Sequence, residues 1–251
     1  MPERFEPLSV FVTTKDEESN IVRCLESVAW AGEVLVVDSG STDRTVALAE
    51  RLADRVETRE WAGYSGQKTY AVSRLTRPWV LWLDADEEVP PALASEIREA
   101  VSAPRGKKGF SMPRRSFYLG RWIRHGGWYP DRKLRLFLRE SVRFDGKAVH
   151  ESALVDGPVG RLRSDLLHYS YRDLAHHVAK TDALAALAAR EMHESGRRSS
   201  AIDLWARPIS GFMRSYVIRA GFLDGWQGFV AAGMSGLYDF LKYSKLRELS
   251  G

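Results

Sequence analysis

The sequence predicts an α/β fold, in which helices flank a mainly parallel β-sheet and a helical C-terminal extension follows. Strand-like and helix-like segments alternate about every 20–25 residues as far as Val101, which is typical of βαβ units with right-handed crossovers. From Pro104 the chain is basic, aromatic and glycine-rich, which favours short strands with turns, and from Asp173 it is helical. We therefore expect one domain over residues 1–170 and a helical extension over residues 171–251.

The first four strands and their helices can be assigned from the spacing of apolar residues. Continuous apolar runs mark the strands, whereas apolar residues three and four positions apart mark the helices. The predicted strands are Leu8–Thr14, Val34–Val37, a weak one within residues 54–60, and the run that begins at Trp79. The predicted helices lie within residues 19–32, 65–75 and 91–101, with a further one that Thr42 or Asp43 caps and that carries Val46, Ala49 and Leu52.

Polar clusters follow three of these strands. Thr13–Glu18 follows the first strand, Asp38–Asp43 the second and Asp84–Glu88 the fourth. Ligands of parallel α/β sheets bind beyond the carboxyl ends of the strands. We therefore expect the three clusters to meet at one edge of the sheet and to form a ligand site there.

The third cluster contains four carboxylates within five positions. Like charges this close repel, so Asp84 and Asp86 predict a bound cation. Glu87 and Glu88 are expected instead near the positive N-terminal end of the helix that the following Pro-Pro pair begins. The competing interpretation is a strand that simply ends in solvent.

Composition limits the class of protein. The chain has 251 residues, of which 44% are hydrophobic and 28% charged, as in ordinary globular proteins. The single cysteine, Cys24, excludes an internal disulfide framework, and no secretory signal is visible, so we expect a cytoplasmic protein.

The charge is unevenly distributed along the chain. The net charge is +4, but residues 104–147 hold 13 Lys/Arg against three acids. This segment predicts an anionic partner, with a solvated basic loop as the alternative.

Seven motifs occur in a fixed order along the chain. They are TTKDEESNI, VVDSGSTDRT, WLDADEEV, GGWYPDRKLRLF, VHE, HYSY and GFLDGW. A lone D-x-D is weak evidence, but the ordered set resembles family-2 glycosyltransferases of the GT-A fold over nearly the whole chain. More narrowly, it resembles the bacterial lipopolysaccharide core glucosyltransferases that act on the inner-core heptose. The resemblance implies inverting transfer of a hexose, glucose in the narrower family, from a nucleoside-diphosphate sugar such as UDP-glucose or UDP-galactose.

The resemblance also implies a divalent metal, Mg²⁺ or Mn²⁺, and a nucleotide-sugar half over residues 1–103. Asp86 becomes a metal ligand, His168 in the HYSY motif a second one, and Asp84 a partner of the ribose or sugar. For His168 the alternative is a histidine that is only hydrogen-bonded between a strand and a helix. The other residues expected to contact the nucleotide sugar are Thr13, Thr14, Glu17, Asp38, Lys68 and Arg135.

Individual roles follow from position in these motifs. Glu17 is expected at the ribose hydroxyls, Asp38 at the base or ribose, and Arg135 at phosphate. Lys68 could reach a phosphate, although a lysine on a helix face is also commonly only solvated.

The same comparison assigns residues 104–170 to the acceptor side. Glu151 is expected to be the base that takes the proton of the acceptor hydroxyl, with His150 beside it and Asp145 as the rival. Trp128 and Tyr129 offer ring faces to a sugar, and Arg132 could grip an acceptor phosphate. Core packing is the alternative for Trp128.

The C-terminal segment, residues 202–249, is interrupted by too many polar residues to span a bilayer. It suits a surface-lying amphipathic helix, as expected of an enzyme that meets a lipid-linked anionic glycan at the inner membrane surface. Packing against the catalytic domain or a second subunit is equally compatible. The first alternative function is a family-2 glycosyltransferase that acts on another lipid-linked or polysaccharide acceptor. A nucleotidyltransferase is less well supported because the chain has no glycine-rich phosphate loop after the first strand. An anion-binding, non-enzymatic module is also less well supported, because no nucleic-acid-binding motif accompanies the basic segment. We expect no nucleic-acid partner.

Overall fold

The computed structural model describes residues 4–145 and 152–251, and the chain forms two compact units. The first unit comprises Met1–Arg114 with Arg132–His168, and the second comprises Arg115–Asp131 with Tyr169–Gly251. The second unit thus takes in a segment that the sequence analysis assigned to the first domain. The functional division at residue 170 stays a prediction.

The first unit is built from alternating strands and helices. Its four helices are α1 (Ile21–Ser27), α2 (Thr45–Ala49), α3 (Gly63–Arg74) and α4 (Pro91–Ser102). Its first strands are β1 (Phe5–Thr14), β2 (Ala31–Asp38), β3 (Arg55–Thr58), β4 (Trp79–Asp84) and β5 (Glu87–Glu88). The later strands are β6 (Gly109–Tyr118), whose last four residues belong to the second unit, β7 (Arg121–Trp122) of the second unit, β8 (Asp131–Leu138), β9 (Val142–Phe144), β10 (Ala153–Val155), β11 (Val159–Arg161) and β12 (Leu166–His168).

The main sheet has the order β3-β2-β1-β4-β8-β6-β12-β5. The strands from β3 to β4 are all parallel, β8 runs antiparallel to β4, and β12 runs antiparallel to β5. This arrangement confirms the predicted mainly parallel sheet. Most of the described strands after residue 104 are short, as predicted, with two or three residues each, whereas β6 with 10 residues and β8 with 8 are longer than expected.

Alternate residues of the central strands enter two different apolar clusters. Val10 and Val12 of β1 pack in one cluster, whereas Phe11 packs in the other with Trp82 of β4 and Phe137 of β8. This follows from the period of two in a strand, whose successive side chains point to opposite faces. All eight residues of β2 are buried, as expected for a strand covered on both faces.

The second unit is mainly helical, which confirms the predicted C-terminal helical region. It contains α5 (Leu174–Glu194), α6 (Ala201–Met213), a π-helical turn (Arg214–Ile218), a 3-10 turn (Gly221–Asp224) and α7 (Gly225–Leu249). Asp173 caps α5 by accepting a hydrogen bond from the His176 N–H at 2.7 Å. Within residues 4–145 and 152–251, no helix combines the length and the apolar character needed to cross a bilayer.

Candidate active site

The carboxyl ends of three parallel strands bring the polar clusters together. The register pairs Thr13 of β1 with Asp84 of β4, and Thr14 with Asp38 of β2. Side chains from separate strands therefore meet at one edge of the sheet, as the alternating pattern predicts. This edge, with Asp84, Asp86, Glu87, Arg135 and Lys68, is called the strand-edge site below.

The two loops beside this edge are fastened by their own carboxylates. Asp38 is buried, and its carboxylate accepts hydrogen bonds from the N–H groups of Gly40 and Ser41, each at 2.9 Å. Asp16 accepts from the N–H of Thr42 at 2.7 Å, which ties the first loop to the second. These bonds fix both loops, while the role expected of Asp38 at the base or ribose stays a prediction.

Thr13, Thr14 and Glu17 lie on the first strand end and its loop. Thr14 is buried, and its hydroxyl has no hydrogen-bond partner among the described residues. The Glu17 carboxylate accepts a hydrogen bond from the side-chain amide of Asn20 at 2.7 Å, and the backbone N–H of Glu17 donates to the Thr45 hydroxyl at 2.8 Å. The nucleotide contacts expected of these three residues remain predictions.

Arg135 lies at the centre of a buried ion network. Its Nη2 donates to Asp84 Oδ2 at 2.5 Å and to Glu87 Oε1 at 2.7 Å. Arg114 Nη1 approaches the same Glu87 oxygen at 3.3 Å, and Glu87 Oε2 accepts from the N–H of Asp84 at 3.1 Å. Glu87 is thus fully buried and paired, so it belongs to the network from which the sequence-based prediction separated it, while its expected place near the positive end of α4 stays a prediction.

The strand faces explain why these groups meet. Trp82 and Asp84 lie two residues apart on β4, and Arg135 and Phe137 lie two apart on β8, so each pair shares one face. The register places Val80 opposite Phe137, and Trp82 and Phe137 enter the same apolar cluster. Asp84 and Arg135 therefore emerge from that cluster side by side at the edge of the sheet.

Two cations flank the ring of Trp82. The Lys68 Nζ lies 3.6 Å from the ring centroid, and the Arg135 Cζ lies 3.7 Å from it. Lys68 is only 4% exposed, so the alternative of a solvated lysine on a helix face is wrong. The attraction between a cation and the face of an aromatic ring is stronger when the cation is removed from water, as these two are.

Burial and charge act in opposite directions on these groups. Burial lowers the pKa of Lys68 from 10.5 to about 7, partly against the attraction of Asp84. Burial would raise the pKa of Asp84, but the charges of Arg135, Lys68 and Arg114 outweigh it and hold that pKa well below its usual range. Burial also lowers the pKa of Arg135. The negative charges of Asp84 and Glu87 raise this pKa by more than burial lowers it, so the guanidinium stays charged.

Asp86 and His168 form the candidate metal ligands. β5 pairs with β12 so that His168 lies opposite Glu87, one residue beyond Asp86. His168 Nε2 lies 3.3 Å from Asp86 Oδ2, and the two side chains are 11% and 14% exposed. Two neighbouring ligands of an octahedral ion, each about 2.1 Å from it, are about 3 Å apart, so this donor pair fits Mg²⁺ or Mn²⁺. No group of three or more metal-ligating side chains occurs in the part of the chain that the structure describes.

The residues expected at the acceptor are distributed differently. Arg132 is exposed, and its Nη1 donates to the carbonyl of Leu162 at 3.1 Å. Tyr129 and Trp128 belong to the second unit, where Trp128 is half-buried and packs 5.1 Å from Tyr118, ring centroid to centroid. That contact favours the core-packing alternative for Trp128.

The catalytic pair expected from the sequence, His150 and Glu151, lies outside the described residues. The rival base Asp145 is described, and its carboxylate accepts from the N–H of Ser152 at 3.1 Å. The choice between Glu151 and Asp145 therefore stays a prediction.

Glu87, Arg114 and Trp82 belong to this site although the sequence did not predict them there. One signal was present for Trp82, since residues two apart on a strand share a face and Trp82 precedes Asp84 by two. Four acids within five positions also exceed what one cation needs, which could have suggested a buried partner for Glu87. Nothing in the sequence points to Arg114.

Comparison with known proteins is consistent with this geometry. The family model described as Glycosyl transferase family 2 matches residues 9–149. The chain is 32% identical over 249 residues to the lipopolysaccharide core biosynthesis glycosyltransferase LpsC of Rhizobium meliloti (strain 1021), covering 96% of this chain and 92% of the relative. It is also 32% identical over 263 residues to an uncharacterized glycosyltransferase of Rickettsia typhi, covering 97% of this chain and 87% of the relative.

The fold is similar to that of a solved transferase. The mannosyltransferase PcManGT from Pyrobaculum calidifontis, in complex with GDP-Man and Mn²⁺, superposes with a TM-score of 0.55 at 17% identity. The similarity covers 96% of this chain and 86% of that chain, and it supports the GT-A fold. Taken with the family model and the relatives that match nearly end to end, the chain belongs to glycosyl transferase family 2.

Proposed function

We propose that the protein is a metal-dependent, inverting hexosyltransferase that moves glucose from a UDP-sugar to the inner core of lipopolysaccharide. The observation that carries the proposal is the strand-edge site, where two buried cations, Arg135 and Lys68, lie on the ring of Trp82, Arg135 pairs with Asp84, and Asp86, two residues further along, pairs with His168. The similarity to LpsC, a lipopolysaccharide core biosynthesis glycosyltransferase, over 96% of the chain supports an acceptor in the lipopolysaccharide core. A UDP-sugar, UDP-glucose before UDP-galactose, is the donor that the resemblance implies.

Arg135 and Lys68 are suited to hold the donor diphosphate. Arg135 Nε and Nη1 are buried and have no hydrogen-bond partner among the described residues. Buried donors without partners are costly, and phosphate oxygens would satisfy them. An anion would also hold Lys68 in its charged form, because a nearby negative charge raises the pKa of a lysine.

Asp86 and His168 would hold the divalent ion. A bound Mg²⁺ or Mn²⁺ supplies positive charge that stabilises a departing diphosphate. Two protein ligands suit such an ion, since Mg²⁺ sites commonly use one or two carboxylates together with substrate phosphates. Asp84, already fixed by Arg135, is then placed for the ribose or sugar hydroxyls, with Thr13, Thr14, Glu17 and Asp38 toward the nucleoside.

The chemical step needs one base. The acceptor hydroxyl oxygen forms a bond to the anomeric carbon, the bond from that carbon to the diphosphate oxygen breaks, and the diphosphate leaves with the bonding electrons. Glu151 takes the hydroxyl proton in this proposal, with His150 beside it and Asp145 as the rival base. Attack from the face opposite the leaving group inverts the anomeric configuration.

The proposed acceptor is a lipid-linked anionic glycan, which Tyr129 and Arg132 would contact, whereas Trp128 packs against Tyr118 and is not proposed as a contact. The excess of positive charge over residues 104–147 suits its phosphates and carboxylates. An acceptor of this kind lies on a membrane, so the proposal includes a cytoplasmic enzyme in peripheral contact with the inner face of the cytoplasmic membrane.

Donor hydrolysis tests the proposal. We expect slow release of UDP from UDP-glucose that requires Mg²⁺ or Mn²⁺ and is lost in Asp86→Ala. The matched control is Glu88→Ala, two residues along the same acidic run, which should retain release. Glu151→Gln should keep donor binding while transfer to a heptose-containing acceptor is lost. Absence of both nucleotide release and nucleotide binding with every sugar nucleotide tried would overturn the proposal.

A further inference from the structure

Helix α6 carries an apolar stripe that faces solvent. Ile202, Trp205, Ile209 and Met213 recur at the spacing of one helix face, and together they are called the α6 face. Ile202 and Trp205 are each 75% exposed and Ile209 is 62% exposed, and no residue of α6 is buried. An amphipathic helix of a globular unit normally turns its apolar stripe to the core, so this face lacks its partner.

The apolar surface continues beyond α6. Tyr216 of the π-helical turn packs against Phe222 and Phe229, with ring centroids 6.2 and 5.5 Å away. Both phenylalanines are about half exposed, and Trp226, between them in sequence, is 60% exposed. Contiguous apolar surface of this kind marks an interaction site on a soluble protein.

The charged residues of this stretch of chain are mainly arginines. Residues 197–226 contain five arginines and two aspartates, and all five arginines are exposed. Asp224 is buried and accepts hydrogen bonds from the N–H groups of Arg124 and His125, whereas Asp203 caps α6 and pairs with Arg207 at 3.2 Å. The stretch that carries the apolar face therefore presents five exposed arginines to solvent, one of them paired with Asp203.

We propose that the α6 face docks on a bilayer that contains anionic lipids, with α6 lying in the plane of the membrane surface. Apolar and tryptophan side chains enter the boundary between headgroups and acyl chains, and arginines around them attract anionic headgroups. A second copy of the chain fits less well, because a two-fold contact brings the same patch, with its five arginines, against itself. This inference rests on the proposed membrane contact and specifies the surface and the lipid chemistry.

Vesicle sedimentation tests the inference with the full-length chain. Wild-type protein should pellet with phosphatidylcholine vesicles that contain about 30% phosphatidylglycerol, and much less with phosphatidylcholine alone. Trp205→Gln/Ile209→Gln should lower the partition coefficient by about tenfold or more, because two large apolar side chains no longer leave water. Arg198→Gln/Arg214→Gln should also weaken binding and should reduce its dependence on salt between about 0.1 and 0.5 M.

Matched control variants replace exposed apolar residues or exposed arginines outside the α6 face. Leu52→Gln/Val159→Gln and Arg51→Gln/Arg161→Gln alter exposed residues of the first unit and should bind as the wild type does. Equal binding of the wild type and the α6-face variant would overturn the inference. So would a dimer in solution that this variant converts to a monomer, since the face would then bind a second copy.

A dye attached to a single introduced cysteine gives a second measurement, which does not depend on whether the double variant folds. Cys24 is the single cysteine and is fully buried, so a thiol-reactive environmental dye would react at Ile209→Cys. Its emission should shift to the blue with anionic vesicles, whereas the dye at Leu52→Cys should not respond. Equal responses at both positions would contradict the proposed surface.

Donor hydrolysis in the same preparations separates this inference from the proposed function. Wild-type protein that hydrolyses the donor but does not bind anionic vesicles would refute only the membrane contact. Wild-type protein that binds these vesicles but neither binds nor hydrolyses any sugar nucleotide would refute only the transferase.

Discussion

The strand-edge site buries charged residues, whereas the α6 face exposes apolar ones, and each is the reverse of what is usual in a folded protein. In the first, Glu87 and Arg135 are charged and buried, at 0% and 2% exposure. In the second, Ile202 and Trp205 are apolar and 75% exposed. The buried charges are compensated within the unit by one another, whereas the exposed apolar residues have no such compensation. The comparison therefore predicts that substitutions at the first region change stability, and that those at the second change binding.

The largest effect on stability is expected for Arg135→Met. This change removes the cation that bonds to both Asp84 and Glu87 and leaves their charges poorly compensated. Unpairing buried ions in this way costs about 3–5 kcal/mol, which urea unfolding would measure. Arg132→Met, three residues earlier on β8 and exposed, should change the free energy of unfolding by less than about 1 kcal/mol. Similar losses in the two variants would contradict the buried network.

A smaller loss is expected for Glu87→Gln. The amide keeps the shape of the side chain but weakens its bonds to Arg135 and Arg114, while Asp84 still pairs with Arg135. Hydrogen bonds to charged groups contribute about 1.5–3 kcal/mol, so the loss in unfolding free energy should fall in that range. Glu88→Gln, whose native carboxylate is 25% exposed and lies 3.7 Å from Arg23, should lose less than about 1 kcal/mol. A greater loss for Glu88→Gln would reverse the assignment of the buried acid.

Lys68 should give stability a dependence on pH. Its pKa is about 7 in the folded protein and 10.5 ordinarily, so between these values the unfolded chain binds more protons. Stability then rises with pH in this window, with a slope of about 1 kcal/mol per unit, and the contribution is lost as pH falls toward 7. We expect the unfolding free energy of the wild type to rise relative to that of Lys68→Met between about pH 7 and pH 10. A constant difference across that range would show that folding does not lower the pKa of Lys68.

The smallest effect on stability is expected on the α6 face. Trp205→Gln replaces a side chain that is 75% exposed with a good helix former, so unfolding should change by less than about 0.5 kcal/mol. Leu246→Ala on α7, fully buried in the same unit, should cost about 2–5 kcal/mol. A large loss for Trp205→Gln would mean that the face is packed within the protein, which would remove the contrast between the two regions.

Local sequence patterns were sufficient to predict one part of the molecule and insufficient for another. The alternation of strands and helices and the meeting of Thr13, Asp38 and Asp84 at one edge follow from periodicity and from the rule for parallel sheets. The burial of Glu87 does not, because β5 pairs with β12 about 80 residues later, and no local pattern encodes that contact. Lys68 lies on a helix whose spacing gives no sign that its ammonium reaches Trp82.

The second unit shows the same limit. The apolar stripe of α6 can be read from the sequence, but the sequence does not state whether the stripe is covered, and the structure leaves it exposed. Similarly, Trp128 could have bound a sugar or packed in a core, and only its contact with Tyr118 favours packing. Such choices depend on residues distant in sequence.

Donor binding measured by thermal shift tests the central claim most directly, namely that the strand-edge site binds a sugar diphosphate together with a divalent ion. A ligand that binds the folded state raises Tm by mass action. UDP-glucose with Mn²⁺ should raise the Tm of the wild type and of Glu88→Gln, while UDP-glucose without the metal should have little effect. Asp86→Asn should lose the metal-dependent increase. The account would be contradicted if no sugar nucleotide changed the Tm of the wild type with Mn²⁺ present, or if Asp86→Asn responded as the wild type does.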